Sequence, residues 1–170
     1  MKFFKLHLST LSIMSIVATG AVGNIRETGQ SAFAAIAEIT AALDSASDTD
    51  WDKINIDNLV THLRDMNLVT LRSTVARQKV KDSIIFPISG AGDTSQAIYR
   101  MVQAHAPFLQ TATGWKVTFN QLPDGARLRV QANTQAELSK ISALGFYGLL
   151  TLGAHHPQHH FIIAKGHSGH

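Results

Sequence analysis

The chain has no cysteine in its 170 residues, and this absence excludes several classes of chemistry at once. Without a thiol there is no disulfide, no zinc–thiolate site, no iron–sulfur cluster, no cysteine nucleophile and no c-type haem attached through CxxCH. A chain without free thiols is also suited to an oxidising compartment.

Charge and catalytic motifs are scarce as well. Charged residues make up 16% of the chain, and no basic run or stripe is present, so nucleic acid is not an expected partner. The sequence has no HExxH, GxSxG, Walker or GxGxxG motif in a suitable context. The glycine-rich stretch from Gly90 to Thr94 lacks the lysine of a P-loop, so it predicts a turn and a helix cap. Nothing in the sequence positively indicates an enzyme.

The first residues have the order of a secretory signal peptide. Lys2 and Lys5 precede an uncharged, largely apolar stretch over residues 8–22, and small residues lead up to Gly23. The stretch is shorter than the roughly 20 apolar residues that span a bilayer. We therefore expect residues 1–23 to be removed and the mature protein to be periplasmic or secreted, with no membrane span.

The residues that follow are enough for one domain with its own core. Residues 24–50 are predicted to form an N-terminal helix and a polar linker, residues 51–166 a single α+β domain, and residues 167–170 a flexible tail. The sequence does not determine the oligomeric state.

Within residues 51–166, a helix followed by two strands occurs twice before a last helix, giving an αββ-αββ-α pseudo-repeat. The predicted helices cover residues 57–67, 94–106 and 133–152, and the predicted strands 69–76, 83–89, 115–122 and 126–132. Pro123-Asp124-Gly125 has the composition of a hairpin turn between the last two strands. These elements predict an antiparallel four-stranded sheet with helices on one face. The apolar run Phe161-Ile-Ile-Ala164 is interpreted as a fifth strand or a docking segment.

Methionine is rare after the signal segment, and each remaining methionine lies four residues from a histidine. His62 and Met66 are on one predicted helix, and Met101 and His105 are on the next. At this spacing, both side chains of a pair lie on the same helix face. A thioether beside an imidazole suits copper, above all Cu(I). The two pairs are expected to form an inner site, although the same residues also fit an ordinary core stripe.

Histidine is concentrated near the C-terminus, where residues 155–170 contain six of the nine in the chain. The cluster HHxxHH offers four neutral nitrogen donors, which suit Cu(II), Zn(II) or Ni(II). In a helix the cluster forms two i,i+4 pairs, and across a turn its second and third histidines converge. The predicted main ligands are His155, His156, His159 and His160.

A b-type haem is an alternative that uses the same histidines as axial ligands. Phe146, Tyr147 and Leu149 lie just before the cluster and would line an apolar pocket for it.

Three segments of the chain carry a resemblance to a family of small exported bacterial proteins with a C-terminal HHxxHH cluster. The segments are THLRDMN at 61–67, RMVxxHA at 100–106, and ALGF at 143–146 leading to the cluster at 155–160. The resemblance extends over residues 29–166. It implies export and assigns no site residue.

The sequence as a whole therefore predicts an exported metal-binding protein that sequesters or delivers copper, with zinc as the alternative ion. The second hypothesis is a periplasmic interaction module without metal, in which the histidines form a polar rim against a partner protein or a pH sensor. The third is a b-type haem carrier or redox protein.

Overall fold

The computed structural model describes residues 31–153 and 156–166. Helices alternate with strands in the order α1 (Ser31–Ser45), α2 (Ile56–Arg72), β1 (Thr74–Val75), β2 (Gln78–Val80), β3 (Ser83–Ser89), α3 (Asp93–Thr113), β4 (Lys116–Leu122), β5 (Gly125–Gln131), α4 (Gln135–Leu150) and α5 (His156–Ala164). A short 3-10 turn, Trp51–Lys53, precedes α2. The predicted α+β class is confirmed.

The strands form one antiparallel sheet in the order β1-β3-β5-β4, with β2 also paired to β3. β1 and β2 keep one continuous register against β3, so they are two parts of one edge strand. The break lies opposite Pro87, whose carbonyl accepts from the Ala76 N–H at 2.9 Å. Proline has no N–H with which to return that bond, so the ladder is interrupted there. The predicted strands at 83–89, 115–122 and 126–132 are therefore present, whereas the strand predicted at 69–76 is replaced by a broken edge strand at 74–75 and 78–80.

Both halves of the sheet follow the predicted pseudo-repeat. In each half the second strand, β3 or β5, is central, and the strand before it lies towards the edge. Alternate residues of the central strands are buried beneath the helices, among them Phe86 and Leu128, whereas Arg127 and Arg129 are exposed on the opposite face. This period-two pattern places the main core on one face of the sheet.

A second, smaller core lies among α1, α2 and α5. Ile39 and Leu43 of α1 pack with Leu59 of α2 and with Ile163 and Ala164 of α5. The N-terminal helix is therefore packed on the same fold as the sheet domain. The run at 161–164 is helical, so the prediction that it forms a fifth strand is wrong, and the prediction that it is a docking segment stays a prediction.

Two predicted helices end too early. α2 continues to Arg72, so residues 69–72 are helical although they were predicted as the start of a strand. Its buried residues Leu59, His62, Asp65 and Val69 recur every three or four positions, and this burial outweighs the β propensity of the segment. α3 continues past Pro107, which is exposed, and ends at Gly114 in the left-handed conformation.

Within residues 31–153 and 156–166, no helix is both long and apolar enough to cross a membrane. The predicted signal segment at 1–23 and the predicted tail at 167–170 lie outside the described residues.

Candidate metal centre

Three histidines from three different helices come together on the helical side of the molecule. His62 is on α2, His105 is on α3 and His159 is on α5. One ring nitrogen from each lies within 4.8 Å of the other two. Nitrogen ligands at about 2.1 Å from one ion are at most about 4.2 Å apart, so the imidazoles need to move together by only about 1 Å. The group is therefore a possible metal-binding triad.

The imidazole rings are also packed against one another. His62 and His105 are stacked, with ring centres 5.8 Å apart and planes inclined by 15°. His159 is edge-on to both rings, at 4.9 Å from His62 and 5.4 Å from His105. The three ring centres therefore form a compact triangle with sides of 4.9 to 5.8 Å, which suits a single ion. The haem alternative stays a prediction.

An ion pair fixes α2 and α3 relative to each other beside these histidines. Arg100 donates from Nε and Nη2 to the two carboxylate oxygens of Asp65, each at 2.7 Å. Asp65 is buried, and the hydrogen bonds from Arg100 to its carboxylate raise the pKa of the Arg100 guanidinium above its ordinary value. A bidentate pair defines orientation as well as distance. Asp65 is one turn from His62 on α2. The Asp65–Arg100 ion pair therefore fixes how far along α3 the His62 ring lies, and this brings it level with His105.

The position of α5 depends on a glycine turn and a backbone hydrogen bond. Gly153 has φ +73°, and an added Cβ would lie 2.5 Å from the Ala112 Cβ and 2.7 Å from the Phe108 carbonyl oxygen. Only glycine fits such a close approach to α3. At its other end, α5 accepts a hydrogen bond at the Ala164 carbonyl from the Asn55 N–H, at 2.7 Å. These two contacts and the smaller core place His159 over the α2–α3 pair.

The orientation of His105 is set by its own helix. Its Nδ1 lies 2.8 Å from the carbonyl oxygen of Met101, one turn earlier. A carbonyl accepts hydrogen bonds only, so Nδ1 donates its proton and Nε2 carries the lone pair. Metal-binding histidines commonly have this arrangement, with the second ring nitrogen donating to a backbone carbonyl.

All the donors of the triad are buried imidazoles. His62, His105 and His159 expose 1%, 2% and 6% of their surface. His160 is similarly buried, and its ring centre lies 5.4 Å from that of His62. The triad contains no carboxylate. An ion held there would keep its full charge in a site with little access to water.

The eight predicted ligands have different outcomes. His62, His105 and His159 converge, and His160 lies beside them. His155 lies outside the described residues, and His156 begins α5 with a side chain that is also outside them. Met66 and Met101 lie in or against the main hydrophobic core. Their role as thioether ligands stays a prediction.

The two sites predicted from the sequence are combined in one. The sequence separated an inner site on the first two helices from a C-terminal cluster, because it gave no indication of where the end of the chain packs. The partner of Asp65 was also missed, although Arg100 stands in one of the segments that carry the resemblance. The position of Arg100, five residues before His105, was the one feature of the sequence that could have indicated this partner.

Comparisons of the chain with models of protein families, with curated proteins and with solved structures gave no match.

Proposed function

We propose that this protein is an exported metal-binding protein that holds one copper ion between α2, α3 and α5, for sequestration or delivery. The observation that carries the proposal is the convergence of His62, His105 and His159, whose ring nitrogens lie within 4.8 Å of one another. Three imidazoles from three separate helices that meet in this way offer one ion three nitrogen donors, which is the number of protein ligands in many metal sites.

The donor set supports copper in its reduced state. The free-energy cost of burying an ion rises steeply with its charge, and the three histidines contribute no compensating negative charge. A singly charged ion is therefore cheaper to bury here than a doubly charged one. Imidazole suits copper and zinc alike, and among divalent ions copper stands above zinc in the general order of affinity. Zn(II) is the alternative ion.

Export is supported by the sequence alone. The segment over residues 1–23 has the order of a secretory signal peptide, and the chain contains no cysteine. In an oxidising compartment, where thiolate sites are at risk, an all-imidazole site is a suitable way to hold copper.

The test is calorimetric titration of untagged apo-protein with Cu(I), Cu(II) and Zn(II), together with elemental analysis of the protein purified from its native compartment. We expect one ion per chain, micromolar affinity or better, and preference for Cu(I). Alanine at His62, His105 or His159 should each lower the affinity by about 100-fold or more, because each removes a direct ligand. The proposal is contradicted if none of the three ions binds. If Zn(II) binds more tightly than copper, the site is a zinc site and not a copper site.

A further inference from the structure

His160 is buried next to the triad and is adjacent in sequence to one of its members. It exposes 7% of its surface, and its ring centre lies 5.4 Å from His62 and 6.2 Å from His159. Neighbouring residues on a helix point in directions about 100° apart. Since both His159 and His160 are nevertheless buried, the side of α5 that packs on α2 and α3 lies between these two side chains, and both of them face inwards.

The ring separations agree with four imidazoles around one point. With a metal–nitrogen distance of about 2.1 Å, an ion lies about 3.2 Å from the centre of each coordinated ring. Two rings on the same ion then have centres about 5.2 Å apart in a tetrahedron and at most about 6.4 Å apart. Five of the six pairs that the four histidines form have ring centres between 4.9 and 6.2 Å apart. His160 lies outside the group of ring nitrogens within 4.8 Å of one another, so its ring has to move closer than those of the triad to reach the same ion.

We infer that His160 is the fourth ligand, so that His62, His105, His159 and His160 form a closed, four-imidazole site. The inference rests on the proposed function and goes beyond it, because it defines what the site can do. A site with three protein ligands keeps a position for water or substrate, whereas a site with four protein ligands is closed. With no open coordination position for water or substrate, the site suits holding and transferring an ion and does not suit metal-assisted hydrolysis.

The shell also predicts how the ion is exchanged. Two of its four ligands are on α2 and α3, which Asp65 and Arg100 hold together, and the other two are consecutive residues of α5. A displacement of α5 alone would therefore remove half of the ligands at once and leave a two-coordinate ion open to a competing ligand.

The test uses full-length mature protein loaded with Cu(I) or with Zn(II), whichever binds more tightly, and X-ray absorption at the metal edge. The wild type should show four imidazole nitrogens. His160→Ala should show three, with a solvent-derived ligand or a vacancy in the fourth position, and should bind the ion about 10- to 100-fold more weakly. Ile162→Ala is the matched control, since Ile162 is an exposed residue of the same helix, and it should keep four imidazoles and wild-type affinity.

Three imidazoles in the wild type, with unchanged affinity in His160→Ala, would overturn the inference while leaving the triad in place. A loss of affinity in Ile162→Ala as large as that in His160→Ala would also overturn it, because the effect would then come from a disturbance of α5 and not from a lost ligand. Absence of metal binding in the wild type would instead reject the proposed function. Circular dichroism of each apo-variant separates loss of a ligand from loss of the fold.

Discussion

The Nδ1 of His105 lies 2.8 Å from the main-chain carbonyl oxygen of Met101. The sequence singled out this pair for its spacing of four residues and suggested that the methionine sulfur and the histidine act on one ion. The structure gives the pair a different relationship, in which the methionine backbone orients the imidazole. The carbonyl holds the proton on Nδ1 and directs Nε2 towards the other histidines.

Replacing the sulfur should therefore matter little. Met101→Leu keeps the carbonyl and nearly the same side-chain volume, so we expect a loss of less than about 1.5 kcal/mol in the free energy of unfolding. Affinity for Cu(I) should change by less than tenfold, because a thioether is not needed to complete four imidazoles. Calorimetric titration of this variant beside His105→Ala checks the point. A loss in Met101→Leu as large as that in His105→Ala would identify the sulfur as a ligand.

The turn at Gly153 should be essential for the metal centre. Gly153→Ala adds a methyl group 2.5 Å from the Ala112 Cβ at a φ of +73°, so the turn has to leave α3 and carry α5 with it. Gly114→Ala is the matched control, because Gly114 has φ +69° and no heavy atom within 4 Å of an added Cβ. Both variants should lose stability, by about 1 kcal/mol for Gly114→Ala.

Only Gly153→Ala should also bind the metal more weakly, by tenfold or more. Thermal unfolding of the apo-proteins and metal titration measure the two effects separately. Equal affinities in the two glycine variants would show that the position of α5 does not govern the site.

Metal affinity should depend steeply on pH. Imidazole binds a metal only when it is neutral, and its ordinary pKa is about 6.5. Protons therefore compete with the ion as the pH falls through this range, and several histidines release protons together on binding. Because three or four imidazoles lose a proton on binding, we expect the apparent affinity to fall by about three to four powers of ten per pH unit well below pH 6. A slope of one or less between pH 6 and pH 5 would be inconsistent with a site made of three or more histidines.

The start of α4 offers a pH effect that is independent of the metal. The Glu137 carboxylate accepts from the backbone N–H of Asn133 and of Thr134, and the first of these bonds contributes most to lowering its pKa below the ordinary 4.5. A carboxyl group with a lowered pKa in the folded state stabilises the fold above its unfolded pKa, and this contribution is lost as the pH falls through the folded value.

Glu137→Gln should therefore be less stable than the wild type at pH 7, and the difference should shrink as the pH falls below 4.5. Urea unfolding of both proteins at several pH values measures it, with Glu38→Gln as a control on another helix. A difference that stays constant down to pH 3 would show that the cap does not depend on the charge.

Much of the fold follows from local patterns in the sequence. The strands β3, β4 and β5 have alternating burial and a strong turn before Gly125, so their positions were predicted to within one residue at most ends. The boundary of α2 was predicted less well, because Val69 and its neighbours favour a strand by composition and a helix by the period of burial. That period depends on what the helix packs against, which local sequence does not reveal.

The candidate site was predictable only in its parts. His62, His105 and His159 were each identified from the sequence as metal ligands, because imidazoles at helical spacing and in a cluster stand out in a chain without cysteine. Their convergence depends on the packing of α5, which is governed by Gly153 and by apolar contacts far along the chain. No local pattern contains that information, and for this reason the sequence suggested two sites where the structure has one.

The most direct test of the account compares two double variants in the same metal titration. His62→Ala with His105→Ala leaves the whole C-terminal cluster intact but removes the ligands on α2 and α3, and it should lose at least about 100-fold in affinity. His155→Ala with His156→Ala removes half of the cluster and should stay within tenfold of the wild type. The opposite ranking would show that the C-terminal cluster binds the ion by itself and that the convergence of three helices is not a metal centre.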